Sequence, residues 1–143
     1  MKKEKMKKKI LFICTHNSAR SQIAEGLVKS LCGELFDAYS AGTDPTEVNP
    51  YAVKVMEEIG IDISKQYSKK VDKFTGTKFD YVVTVCSGAD KICPFFPGEK
   101  EYIHKSFEDP SSFKGAEDEI IEKFRNVRDE IKYWIKEKFG ELN

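Results

Sequence analysis

Lys9-Ile10-Leu11-Phe12-Ile13-Cys14-Thr15-His16-Asn17-Ser18-Ala19-Arg20-Ser21 carries a change of pattern from which the rest of the chain can be ordered. The short, continuous apolar run up to Ile13 is the pattern of a strand buried on both faces of a parallel sheet. It ends at Cys14. After the polar stretch Thr15 to Ser21, apolar residues recur at Ile23, Ala24, Leu27, Val28 and Leu31, one stripe of a helix that stops near Gly33. Strand, tight loop and helix follow one another directly.

Outward from there, Phe36 to Ser40 is a candidate second strand and Ala41 to Pro45 is turn material. Asn49 suits an N-cap with Pro50 at the first helical position; Ala52, Val55, Met56 and Ile59 give that helix its stripe, and Gly60 ends it. Phe79 to Val85 is the strongest strand signal, with Cys86 at its C-terminal end, and Glu101 to His104 is a candidate short fourth strand. Ile120, Phe124, Val127, Ile131, Trp134, Ile135 and Phe139 trace a final amphipathic helix, a core stripe rather than a cofactor box. Strands alternating with helices predict an α/β fold: a single domain over 10–143, with a short, about four-stranded parallel sheet and helices on both faces. In such sheets ligands bind outside the carboxyl ends of the strands. Cys14 and Cys86 both fall there.

The chain has 143 residues, 40% hydrophobic and 34% charged, enough for one ordinary domain and outside the composition of disorder. Its formal net charge of zero gives no global attraction to nucleic acid or an anionic membrane, and no stretch has the apolar length of a membrane span. Residues 1–9 carry six lysines without the apolar run of a secretory signal, and read as a flexible, solvated lead-in rather than a phosphate-binding arm. A cytoplasmic protein is expected. In that reducing compartment Cys14, Cys32, Cys86 and Cys93 read as reactive or buried thiols, Cys32 as a packed one.

A thiol, five intervening residues and an arginine at a helix start have a physical logic. A loop curling into a helix N-terminus aims backbone N–H groups inward, where the helix dipole adds partial positive charge. Thr15, His16, Asn17, Ser18, Ala19, Arg20 and Ser21 would thus hold a tetrahedral oxyanion, the Arg20 guanidinium taking two oxygens at once. The same field favours the thiolate of Cys14, the candidate nucleophile. Asp109-Pro110 offers either a general acid for a leaving oxygen or an ordinary turn. Cys86 and Cys93, with six residues between them, are too widely spaced for the usual close zinc pair, and the chain has only two histidines, so no metal site is expected. The spacing leaves a redox pair or two unconnected structural thiols. No cofactor is called for.

The loop, the two later cysteines and Asp109-Pro110 together resemble the low-molecular-weight tyrosine phosphatase superfamily, and within it the thioredoxin-coupled arsenate reductases. Gln22-Ile23-Ala24-Glu25-Gly26, Ser40-Ala41-Gly42, Asn49-Pro50, Val83-Thr84-Val85-Cys86 and Val127-Arg128-Asp129-Glu130-Ile131 extend that resemblance over nearly the whole chain from Ile10. It implies a relay in which Cys14 attacks arsenate, Asp109 assists the leaving oxygen, Cys86 attacks Cys14, arsenite leaves, and Cys93 moves the disulfide outward for reduction by thioredoxin. Ala19 stands where many such members have a further cysteine, His16 where some have glycine, and Lys69 where some have a potassium-binding aspartate. The same loop and aspartate also suffice for a phosphatase acting on phosphotyrosine or a small phosphomonoester, although Ser111 and Ser112 follow Asp-Pro where phosphatases of this group often carry tyrosines. A thiol sensor would need the cysteines but not Arg20.

Overall fold

The computed structural model describes residues 7–85 and 101–140. Cys86 and Cys93 lie outside the described residues. The apolar run forms β1, Lys8–Cys14, so the last two residues of the expected lead-in, Lys8 and Lys9, belong to the sheet, paired with Phe36 and Asp37. The remaining elements are α1 (Arg20–Leu31), β2 (Phe36–Gly42), α2 (Pro50–Glu57), β3 (Tyr81–Thr84), β4 (Glu101–His104) and α3 (Glu117–Lys138). Two 3-10 helices, Val71–Phe74 and Pro110–Ser112, lie between them. The four strands form a parallel sheet in the order β2-β1-β3-β4.

That order reverses direction between β1 and β3, which makes their C-terminal ends a crevice where a ligand can reach the sheet edge. Register brings Cys14 opposite Gly42, and Ile13 opposite Thr84. Because strand residues alternate faces, Ile10, Phe12, Val83 and Val85 join the apolar stripes of α1, α2 and α3 in one continuous core. Leu11, Ile13, Ala41 and Val82 face the other way and are covered by Phe74 of the first 3-10 helix and by Phe79. Phe79 is thus fully buried although it precedes β3; Asp80 fastens the strand entrance by accepting from the Lys9 N–H at 2.8 Å through its carboxylate.

Local chemistry accounts for the element boundaries. Asn49 caps α2, its side chain accepting from the Tyr51 N–H at 2.8 Å ahead of Pro50. Gly26 permits close packing of α1: a Cβ there would lie 2.6 Å from Ile63 Cγ2. On α3 the buried stripe includes Ile121, with Ile120 only partly covered, and Trp134 packs edge-on against Phe107 and Phe139. Among the described residues no helix is long and apolar enough to cross a membrane.

Candidate active site

Cys14 closes β1 and α1 begins six residues later, so the intervening loop must turn tightly. It does so at Asn17, whose φ of 51° is left-handed, a conformation asparagine tolerates better than most residues. Asn17 is fully buried and bonded on every side. Its carbonyl oxygen accepts from Ser68 Oγ at 2.7 Å and from Gln22 Nε2 at 3.0 Å, and its side-chain Oδ1 accepts from the Lys69 N–H at 2.9 Å. Gly42, across the ladder, leaves no room for a side chain: a Cβ would lie 2.5 Å from the Thr15 carbonyl oxygen and 2.9 Å from the Asn17 nitrogen.

These bonds give direction to a chain of groups ending at the nucleophile. A backbone N–H can only donate, so Lys69 sets Asn17 Oδ1 as acceptor and turns Nδ2 toward Ser21, whose oxygen accepts at 2.7 Å. The Ser21 hydroxyl proton is then available to Cys14 Sγ, 2.9 Å away. Cys14 is 2% exposed and lies where β1 leads into the loop before α1, with a hydroxyl donor aimed at its sulfur. Thr15 Oγ1 is also buried and has no hydrogen-bond partner among the described residues, a donor left over one residue from the sulfur.

Arg20, 3% exposed, gathers the rest of the site. Its Nη1 donates to the carbonyl oxygens of Val85 at 3.4 Å and Phe107 at 3.3 Å, and its Nη2 lies 3.5 Å from Asp109 Oδ2. Two segments far from Arg20 in sequence, the end of β3 and residues 107–109, are thereby held to one guanidinium. Asp109 is fixed in turn: its Oδ1 accepts from the Ser111 N–H at 3.0 Å and from the Ser111 hydroxyl at 2.7 Å, capping the second 3-10 helix. The turn at Asp-Pro is therefore compatible with a position of Asp109 beside Arg20. His16 sits at the rim, its Nδ1 3.0 Å from the Asp44 carbonyl oxygen, and Thr15 is braced by the Asp44 N–H at 2.9 Å. Ser18 accepts from the Asn49 N–H at 2.9 Å through its backbone carbonyl, and Ala19 is buried where the loop enters α1. Cys32 is a free, buried thiol whose pKa burial pushes up.

The stripe reading of α1 misses what lies on its other side. Every residue from Arg20 to Val28 is buried, including Gln22 and Glu25. Glu25 accepts from the Ser40 hydroxyl at 2.5 Å and from Lys29 Nζ at 2.6 Å. The ammonium of Lys69, itself 8% exposed, lies 3.9 Å from Glu25 Oε1 and donates to the Tyr67 carbonyl oxygen at 2.6 Å. Gly26 in mid-helix was the available signal that this face is packed. Among the described residues no cluster of three His, Cys, Asp or Glu side chains could hold a metal ion.

A buried cysteine at a strand end, a loop entering a helix, an arginine and a tethered aspartate are the groups that thiol chemistry on a tetrahedral oxyanion requires. The chain belongs to the low molecular weight phosphotyrosine protein phosphatase family, whose model matches residues 9–143. It is 50% identical over 130 residues to an arsenate reductase of Halalkalibacterium halodurans, an alignment covering 91% of this chain and 94% of that one. A solved structure described as an arsenate reductase in the oxidized state superposes with a TM-score of 0.79 at 31% identity, over 95% of this chain and 99% of the other. A thioredoxin-dependent arsenate reductase of Corynebacterium glutamicum superposes with a TM-score of 0.61 at 32% identity, over 91% of this chain and 62% of that one.

Proposed function

We propose that this protein is a cytoplasmic arsenate reductase that converts arsenate to arsenite through a Cys14, Cys86, Cys93 relay regenerated by thioredoxin. The observation that carries the reading is the directed chain from Lys69 N–H through Asn17 and Ser21 to Cys14 Sγ, set beside an arginine that also touches Asp109. Names borne by relatives support arsenate as substrate and thioredoxin as donor. In the first step Cys14 Sγ attacks arsenic, an As–O bond breaks, and Asp109 supplies the proton with which that oxygen leaves as water. Arg20 and the loop N–H groups hold the remaining oxygens. Cys86 then attacks Cys14 Sγ; the S–As bond breaks, its electron pair reduces As(V) to As(III), and arsenite departs. Cys93 attacks Cys86, freeing Cys14, and a thioredoxin dithiol reduces the Cys86–Cys93 disulfide.

A phosphatase reading has its own support, since the loop and aspartate suffice for a cysteinyl-phosphate intermediate. Ser111 and Ser112, however, both hydrogen-bond to Asp109 and supply no aromatic wall for a phosphotyrosine ring. The deciding experiment is arsenate-dependent NADPH oxidation with thioredoxin and thioredoxin reductase, run beside phosphomonoester hydrolysis. Cys86→Ser is expected to stop reduction while sparing slow hydrolysis. Cys93→Ser is expected to release one arsenite per enzyme and trap a Cys14–Cys86 disulfide. Multiple turnovers by Cys93→Ser would return the phosphatase to first place.

A further inference from the structure

A cavity of about 550 Å3 lies between the second half of α1, the outer strand β2 and the segment carrying Tyr67 to Phe74. Lys7, Lys29, Lys69 and Lys73 line it against only two acids, Glu25 and Asp37. Asp37 is engaged by Lys7 at 3.8 Å, and Glu25 gives one oxygen to Lys29 and the other to Ser40. Glu25 Oε1 also lies 3.9 Å from Lys69 Nζ, so one carboxylate serves two lysines; Lys69 and Lys73 further share a neutral partner, their ammonium groups lying 4.5 and 4.9 Å from the centroid of the Tyr67 ring, with Lys73 Nζ donating to its hydroxyl. Positive charge is therefore in excess inside a concave, partly apolar space of ligand size. Burial pushes the Lys69 pKa down against the opposing pull of Glu25 and Tyr67, and Lys29 and Lys73 add smaller contributions in the same direction as burial.

We propose that this cavity is a second anion site, taking a small phosphate compound with two or more negative charges, and that its occupant acts on the oxyanion loop through Lys69. An anion here would balance the positive charge that Glu25 and Asp37 leave over among four lysines. It would also draw on the residue whose N–H sets the Asn17 amide and whose carbonyl accepts from the Gly42 N–H at 2.8 Å. Cavity and nucleophile are thus joined by one residue, and the proposal stands whether the loop serves reduction or hydrolysis. Phe36 and Phe74 add apolar wall, so a nucleotide could use its base as well as its phosphate.

The test is an amide NMR titration of the full chain with pyrophosphate and, separately, with AMP, in wild type and in Arg20→Ala, which disables the loop as an anion site. Perturbed amides at Lys29, Phe36 and Lys73, retained in Arg20→Ala and weakened about tenfold by Lys73→Ala, are expected. Wild type with carboxymethylated Cys14 gives the same reading if Arg20→Ala does not fold. Tighter binding of AMP would assign a nucleotide, and equal binding the phosphate groups alone; either supports the site. In Arg20→Ala the rate of Cys14 alkylation is expected to change along the same saturation curve. Perturbations confined to residues 14–21, cavity amides silent at roughly 10 mM of both probes, or an alkylation rate indifferent to a filled cavity would overturn the proposal.

Discussion

Asn17 meets two demands at once: a left-handed turn without glycine, and a fixed polarity for the hydrogen bonds that reach Cys14. Ser21 is the last link, and Ser21→Ala removes it while leaving the backbone path intact. Losing a hydrogen bond to a charged group costs about 1.5–3 kcal/mol. Alkylation of Cys14 at neutral pH is accordingly expected to slow by roughly tenfold or more in a folded Ser21→Ala protein; an unchanged rate would show that the hydroxyl does not serve the sulfur. Lys69 gives a prediction with a definite sign. Its folded pKa is depressed below the ordinary lysine value, mainly by burial. Between those two values the unfolded chain binds more protons, so stability contributed at this position rises with pH through that window and is lowest below it. Urea unfolding of wild type and Lys69→Met from pH 7 to 10 checks this: wild type is expected to gain on the variant as pH rises. A flat difference would mean that the ammonium is not strained.

Elements meet here through few but specific ties. Glu58, just beyond α2, accepts from Arg125 Nη2 at 2.7 Å and from Arg128 Nη1 at 2.9 Å, fastening α2 to α3, and Arg128 also donates to the Val55 carbonyl oxygen at 2.8 Å. The Arg125 hydrogen bond, with Arg128 behind it, holds the Glu58 carboxyl below its usual value. A depressed acid stabilises above its unfolded pKa, and that contribution is lost as pH falls through the folded one. Glu58→Gln should therefore cost no more than about 1 kcal/mol at neutral pH, because the pair is partly solvated, and nothing once the medium is acid enough to protonate the wild-type carboxyl; thermal melts across that range decide it. Such ties explain what could be read in advance. Strand β1, the Asn49 cap and the Cys14 to Arg20 spacing follow from local chemistry and were legible. The lead-in ended earlier than expected because Lys8 and Lys9 find partners in Phe36 and Asp37, which no local pattern announces. Likewise, a stripe marks only the greasy side of α1, whereas Gln22 and Glu25 are buried by segments 15 to 45 residues away, through Tyr67, Gln66 and Ser40. Polar burial has no periodicity to reveal it.

At the scale of the molecule, Arg20 holds the C-terminal end of β3, the turn after β4 and the start of α1 in one place. An anion bound by the loop therefore stabilises the whole fold by linkage, about 2.7 kcal/mol at a concentration one hundred times its dissociation constant. Sulfate is expected to raise the melting temperature of wild type, and to do so far less in Arg20→Lys, where the planar fork is gone; equal shifts would separate anion binding from the guanidinium. The clamps on the loop come from Ser21, Gly42, Ser68, Lys69, Val85, Phe107 and Asp109, all later in the chain than Cys14. A ribosome adding about 5–20 residues per second needs roughly 5–20 s between the nucleophile and the last of them. Throughout that interval the nascent polypeptide lacks one or more of the residues that hold the loop. A translation product that stops short of Asp109 therefore carries Cys14 without the full set of groups that surround it in the fold.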